Sequence, residues 1–442
     1  MQFLQDALNE RLQSAAEILD RHPKFRIITH YDADGISAAI VLGRTLMKSK
    51  KGFHTTFASS FPKDIPGGLP VIFTDVGNSY LKEISSIKED TIVLDHHKVT
   101  GETDPGENKV FINPHDFGID GSRELSGGTM AFLLSMAYDE TNWAKAFYGL
   151  AGAAADKQNI GGFTGVNKSI LENAMEKKKI RSRKGLYLDG SGIRDALLKS
   201  CDPYFPGISG RESVIDDILR DLDIDPEAPV NELSKEKDRK LSSLLVLSLL
   251  ERKIPPGTIR SIKGERYYHP EHDMDIDLLY KLLNACARVS RPGLGMSIGL
   301  GDHTALETAM ELREDYRTDM IKRLHIMEDK GIEELSNVQY FYEERKTRKG
   351  ELAGLGMLYF LNQDKPAFGI SIQDKDADIS CRGTRDHVER GLDLGLICGE
   401  ICSQLEGSGG GHDIAAGATI PKDRVEEFLE MANQRVGEML ER

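Results

Sequence analysis

Short apolar runs that each stop on a polar residue set the rhythm of the first third of the chain. FRIITH (25–30), VIFTDVG (71–77), TIVLDHH (91–97) and VFINP (110–114) are β-rich, and 53–59 reads as a further strand. Helical patterns fill the gaps: the charged amphipathic start MQFLQDALNERLQSAAEILDRH, then ISAAIVLGRTLMKS, 78–88, 128–138 and 142–155. Strands alternating with helices predict an α/β layer with a parallel sheet, and such sheets hold ligands at the carboxyl ends of their strands. His30, Asp32, Asp34, Asp75 and His96 all fall at such ends.

From about residue 167 the texture changes to long helical patterns. LSSLLVLSLLERK (241–253) reads as a helix broken at PPG (255–257), and 304–337 reads as a charge-laced connector. EKKKIRSRKG (176–185) is a basic run. Further on, NVQYFYEE, GMLYFLN, PAFGISIQ and DISCRGT are β-rich, and LGLICGEICSQLEG is helical. GSGGGHDIAAGATI follows, and an amphipathic helix covers 422–440. The expected layout is an N-terminal parallel-sheet domain (1–166), a mostly helical middle region with the connector (167–337) and a smaller C-terminal α/β domain (338–442).

Composition narrows the class. With 29% charged and 39% hydrophobic residues, the 442-residue chain fits a soluble, multidomain protein rather than a disordered one. No stretch approaches the roughly twenty apolar residues of a membrane span, and the N-terminus lacks a signal peptide's apolar core. A cytoplasmic protein with no membrane partner is therefore expected. Five cysteines without a CxxC fit reduced thiols, and Cys398 and Cys402, one helical turn apart, fit core packing. The net charge of −14 argues against a basic face that coats duplex DNA. A nucleic-acid enzyme with a local positive groove is still compatible with it.

The candidate chemistry lies at the strand ends. In HYDADG, His30, Asp32 and Asp34 are in phase on an extended backbone, which makes a half-site for a divalent cation. Alone, DxDG also fits a calcium loop or an ordinary turn, Asp75 a helix cap, and Asp156 a solvated helix end. His96 and His97 alone fit surface imidazoles. Convergence decides between these readings: separate strands each deliver a carboxylate or imidazole to one sheet edge.

HYDADG, TDVG, LDHH and AAAD in this order, followed by GSGGGHDIAAG, closely resemble the DHH phosphoesterase superfamily. The resemblance implies ligands for a pair of Mn2+ ions, with Mg2+ or Co2+ as substitutes. Asp32, Asp34, Asp75, His96 and Asp156 would be those ligands, with His30 available and Asp75 bridging. His97 would contact the scissile phosphate or assist proton transfer, and Asp95 would orient the histidines. The C-terminal region resembles the DHH-associated domain, which implies substrate contacts from Gly409, Gly410, Gly411 and His412, with Arg382 nearby. SGGT (126–129) could bind an anion at a helix start.

DPYFPGISGRES (202–213) and LLNACARVSRPGLG (281–295) are similar to segments of archaeal RecJ-like proteins, the group of the GINS-associated nuclease. They imply strand contacts from Asn284, Arg288 and Arg291, and base stacking on Tyr204 and Phe205. Bacterial RecJ has an aspartate where this chain has His30, and an OB domain that no segment here matches, so strand polarity does not carry over. The expected activity is a Mn2+-dependent, single-strand-specific exonuclease of DNA replication or repair, with DNA favoured over RNA. Its expected partners are single-stranded nucleic acid and a GINS-like replication protein. The alternatives are a small-substrate DHH hydrolase (oligoribonuclease, cyclic-dinucleotide phosphodiesterase or pyrophosphatase) and a replication scaffold with residual nuclease activity. Oligomeric state stays open.

Overall fold

The computed structural model describes residues 4–97, 106, 108–252, 254, 256–272 and 274–440. The chain divides into two compact units, Met1–Gly185 with Gly264–Tyr316 and Leu186–Lys263 with Arg317–Arg442. The stretch 167–337, expected to form a middle region, is shared between the two.

The first unit opens with α1 (Asp6–Arg21), β1 (Lys24–His30), α2 (Ala33–Lys48), β2 (Gly52–Ala58) and β3 (Val71–Thr74). It continues through α3 (Leu81–Ser85), β4 (Thr91–Leu94), β5 (Lys109–Ile112), α4 (Gly127–Tyr138), α5 (Ala146–Ala155), α6 (Gly165–Glu176) and β6 (Arg181–Leu186). The chain then contributes α7 (Ile193–Leu198), α8 (Glu212–Asp221), α9 (Lys235–Leu250) and α10 (Pro256–Ser261) to the second unit. It returns with β7 (Lys263–Tyr268), α11 (Ile276–Arg288) and α12 (Pro292–Leu300), and leaves along α13 (His303–Lys330). Pro255, in the expected break after α9, lies outside the described residues.

Strands β1 to β5 form an all-parallel sheet in the order β2-β1-β3-β4-β5. Both faces are covered, which explains the unbroken apolar runs. Ile27, Ile72 and Ile92 join the helices α1, α2, α4 and α5 in the main core. Ile28, Phe73 and Val93 fill a smaller cluster on the other face. From β1 the chain crosses to β2 on one side, whereas β3 lies on the other. The sheet order therefore reverses between β1 and β3, where a crevice opens at the carboxyl edge.

The second unit adds β8 (Glu333–Glu334), β9 (Gln339–Tyr342), α14 (Lys349–Tyr359), β10 (Ala367–Ile372) and β11 (Asp376–Arg382). Then come α15 (Arg385–Glu389), α16 (Leu394–Gln404), β12 (Ser408–Gly411), β13 (Ala415–Pro421) and α17 (Val425–Leu440). Its mixed sheet runs β12-β13-β11-β10-β9-β8, with β9 and β10 parallel. GMLYFLN, read as β-rich, belongs to helix α14 and its end: Leu352, Leu355 and Tyr359 are buried at helical spacing. The helix expected over 78–88 shrinks to α3, and the connector helix stops at Lys330 before Gly331, whose φ is 73°. All five cysteines are buried thiols, and Cys398 and Cys402 pack in the core of this unit. No helix among the described residues is long and apolar enough to cross a membrane.

Candidate metal centre

The crevice between β1 and β3 is lined first by His30 and Asp32. Asp32 caps α2 by accepting from the Gly35 amide at 3.0 Å. His30 Nδ1 lies 2.8 Å from Asp32 Oδ2 and 3.7 Å from Asp75 Oδ2. Burial pulls the His30 imidazole towards the neutral form, but the bond to Asp32 and the nearby carboxylates outweigh it and raise its pKa.

Asp34, in the first turn of α2, is almost wholly buried. Its carboxylate docks on the start of α4. Ser126 Oγ and the Gly128 amide donate to Oδ1 at 2.8 and 2.9 Å, and the Gly127 amide donates to Oδ2 at 2.7 Å. The SGGT helix start does bind an anion, but that anion is Asp34 of the same chain rather than a substrate. Desolvation pushes the Asp34 carboxyl pKa up, against the pull of His96.

Asp75 follows β3 with φ 56°, in the left-handed region that aspartate tolerates. Its Oδ1 lies 3.1 Å from His96 Nε2, while its buried Oδ2 has no hydrogen-bond partner among the described residues. Burial raises its pKa well above the carboxylate range, and Asp32 and Asp34 push it further. Asp156, at the end of α5, is driven the same way by burial and Asp34.

The two histidines of LDHH diverge. His96 is buried, and its Nδ1 donates to the Gly121 carbonyl at 2.6 Å. Its Nε2 faces Asp75 at 3.1 Å, Asp156 at 3.4 Å and Asp34 at 3.7 Å. Burial opposes its charged form, but these carboxylates raise its pKa well above the usual value. The His97 side chain is 53% exposed, and its Nδ1 lies 2.7 Å from Asp95 Oδ1. Asp95 also accepts from the His97 amide at 3.1 Å and the Asn78 amide at 2.8 Å. Against its burial, the bond to His97 keeps the Asp95 carboxyl below its ordinary range.

Sequence reasoning missed Asn78 and Asn113. Asn78 Nδ2 donates to the carbonyls of Asp95 and His97 at 2.8 and 2.9 Å, and Asn113 Nδ2 donates to that of His97 at 2.9 Å. Together they pin the DHH turn from both sides. The signal was present in the sequence, since each asparagine sits just past a strand end, in TDVGN and VFIN.

At this site, three groups of described residues have donor atoms within 4.8 Å of one another: His30, Asp32 and Asp75; Asp75, His96 and His97; and Asp34, His96 and Asp156. Crowded carboxylates, an orphaned buried oxygen and an imidazole turned towards them fit a divalent cation of hard or borderline character. Asp75 belongs to two of the three groups.

The expected substrate residues fall into separate places. Asn284 is half-buried on α11, while Arg288 and Arg291 are exposed. The Arg288 guanidinium lies 4.1 Å from the Tyr316 ring centroid. Tyr204 and Phe205 are fully buried, and the Tyr204 hydroxyl donates to Glu328 at 2.6 Å. They are therefore core rings and not a stacking platform, which corrects the sequence expectation.

In the second unit, Ser408–Gly411 of GSGGGH form the edge strand β12. Gly409 packs on α16, where a Cβ would lie 2.6 Å from Cys402 Sγ, while a Cβ on Gly410 would meet open space. His412 is exposed. Arg382 pairs with Ala415, and Gly411 with Ala416, so both lie at one end of the sheet.

An α/β sheet with an aspartate and histidine cluster at its switch point, followed by a smaller mixed-sheet unit, defines a recognisable class. The model described as the DHH family, N-terminal domain, matches residues 24–154, and that of the DHHA1 domain matches 337–438. The chain belongs to the DHH family. It is 30% identical over 438 residues to the uncharacterized protein MJ0831 of Methanocaldococcus jannaschii, covering 96% of each chain.

Its fold is similar to that of RecJ from Thermus thermophilus in complex with Mn2+, at 14% identity and a TM-score of 0.57. That likeness covers 99% of this chain but 55% of the RecJ chain, so the protein spans about half of that relative. An exonuclease RecJ bound to manganese is similar at 14% identity and a TM-score of 0.54, covering 98% of this chain and 96% of the other. CDC45 from Entamoeba histolytica is similar at 10% identity and a TM-score of 0.64, covering 98% of each chain.

Proposed function

We propose that this protein is a metal-dependent phosphodiesterase that trims single-stranded nucleic acid from an end, preferring DNA to RNA, in replication or repair. The observation that carries it is Asp75: a buried carboxylate, shared by two donor groups, with one oxygen left without a partner. His30, Asp32 and Asp75 would hold one Mn2+ ion, and Asp34, His96 and Asp156, again with Asp75, a second. Divalent ions bound there polarise phosphoryl oxygens and lower the pKa of water. The RecJ likeness and the RecJ-like sequence segments support a polymer substrate, and docking to a GINS-like replication protein belongs to the same proposal. The division of labour follows: 1–166 for catalysis, 338–442 for substrate binding.

The side chains of this protein supply the rest. The ionised Asp95 accepts the Nδ1 proton of His97 and so fixes the tautomer, which presents Nε2 to the open side. In its imidazolium form, with a proton on Nε2 as well as on Nδ1, His97 can donate a hydrogen bond to a phosphoryl oxygen, or protonate the ester oxygen as its bond to phosphorus breaks. Asn78 and Asn113 hold the turn still while this happens. Arg382 and the open side of Gly410 offer a guanidinium and a bare backbone to the substrate.

Single strands of DNA and RNA, labelled at each end in turn, test the reading with Mn2+ present and after chelation. Mononucleotide release from one end, lost on chelation, is the expected result. Cleavage confined to dinucleotides or pyrophosphate would replace it with the small-substrate hydrolase.

The histidines should separate in kind. His96→Ala is expected to weaken Mn2+ binding in a calorimetric titration. His97→Ala should keep metal affinity but lose about 10²–10⁴-fold in kcat. Equal loss of metal binding in both would refute their different duties.

A further inference from the structure

The basic run EKKKIRSRKG takes no part in the metal centre. It closes α6 and forms β6, with Ile180 buried between the exposed residues 177–179 and 181–184. Six of those seven exposed positions are cationic: Lys177, Lys178, Lys179, Arg181, Arg183 and Lys184. Among the described residues, Glu176 opens the run and Glu265 on β7 lies 3.7 Å from Lys184.

Neutral groups help to position several of these cations. Arg183 Nη2 donates to the Tyr268 hydroxyl at 3.0 Å, and its guanidinium lies 4.6 Å from that ring's centroid. Arg181 lies 5.8 Å from the same centroid and donates to the His272 carbonyl at 3.3 Å. The Lys177 ammonium sits 5.3 Å over Trp143. In a chain of net charge −14 the ribbon is a local reversal of sign, and aromatic faces hold its cations in place.

We propose that this ribbon is a second contact for the phosphate backbone of the nucleic-acid strand, apart from the hydrolytic centre. The inference rests on the nuclease reading and deepens it, because a dinucleotide or pyrophosphate would have no use for such a ribbon. Helix-end lysines that serve only the α6 dipole, or strand charges that only discourage edge pairing, would show no dependence on a polyanion.

The test is fluorescence anisotropy of labelled single-stranded DNA in chelator across a salt series, on the full chain and on K178Q/K179Q/K184Q. These three side chains are exposed, and glutamine keeps their aliphatic stems. Removing three phosphate contacts should lower the slope of log affinity against log salt by about 2. Binding should weaken at every salt concentration, with hydrolysis of a dinucleotide unchanged. An unchanged slope with normal wild-type binding would overturn the ribbon and leave the nuclease reading intact. Failure of the wild type to bind any strand would overturn both.

Discussion

Asp75→Asn is expected to silence metal-dependent cleavage and at the same time stabilise the metal-free protein. In the wild type, burial and the Asp32 and Asp34 carboxylates act together against the Asp75 charge. One of its buried oxygens lacks a hydrogen bond. Asparagine removes the charge and keeps a carbonyl oxygen for His96. It offers an NH2 group on the side of the Asp32 carboxylate, and it accepts the backbone φ of 56° as readily as aspartate does. Giving the orphaned buried position a partner and removing one of the crowded carboxyls should therefore raise metal-free stability by about 1–3 kcal/mol.

The loss appears in function. Removing an outer hydrogen-bond partner of a metal ligand typically costs about 10–100-fold, and a carboxylate shared between two donor groups should cost more. Thermal melts with and without Mn2+ check both halves. The expected pattern is a higher melting temperature in chelator, a smaller rise on adding metal, and no strand cleavage. A variant less stable in chelator would show that Asp75 serves the fold. Cleavage at the wild-type rate would remove it from the centre.

The strand ends were legible because each apolar run of the parallel sheet stops where its polar residue begins, so His30, Asp75 and Asp95 announce the carboxyl edge. What organises them was not. The grip of Ser126, Gly127 and Gly128 on Asp34 joins residues about ninety positions apart, and neither segment alone names the other. Asn78 and Asn113 look like turn residues, since side-chain amides reaching carbonyls leave no periodic trace.

Aromatic content misled twice. Tyr204 and Phe205 sit between prolines and a glycine, as an exposed loop would, yet both pack in a core. The YFL of GMLYFLN suggested a strand, but the burial of Leu352, Leu355 and Tyr359 follows a helical period and the segment closes α14. In GSGGGH, Ser408–Gly411 form an edge strand, and the close approach of Gly409 to Cys402, which leaves no room for a Cβ, depends on a helix that the segment alone does not name.

Gly152→Ala should break the centre from a distance, although alanine is the better helix former. Residue 152 lies within α5, in the AGAAAD run that ends on Asp156. A Cβ there would sit 2.1 Å from Asp34 Oδ1 and 3.0 Å from the Ser37 Cβ. Helix propensity favours alanine over glycine by about 1 kcal/mol. Against this, Asp34 can yield only by leaving its three donors, and each hydrogen bond to a charged group contributes about 1.5–3 kcal/mol. The other escape moves α5 away from α2, which shifts Asp156 at the end of the same helix. The three bonds together outweigh the helix gain several-fold, so the cheaper movement is taken and the substitution destabilises the protein by a net of about 1–3 kcal/mol, the usual range for overpacking. Metal affinity falls with it, because Asp34 or Asp156 leaves its place. Gly354→Ala is the matched control: this glycine lies within α14, and a Cβ there meets nothing within 4 Å. It should be neutral or stabilise by up to about 1 kcal/mol. Denaturant midpoints and Mn2+ titrations of both variants decide the matter. A Gly152→Ala protein that matched the Gly354→Ala protein in both would mean that Asp34 is free to move, and the cradle at the start of α4 would lose its role in holding it.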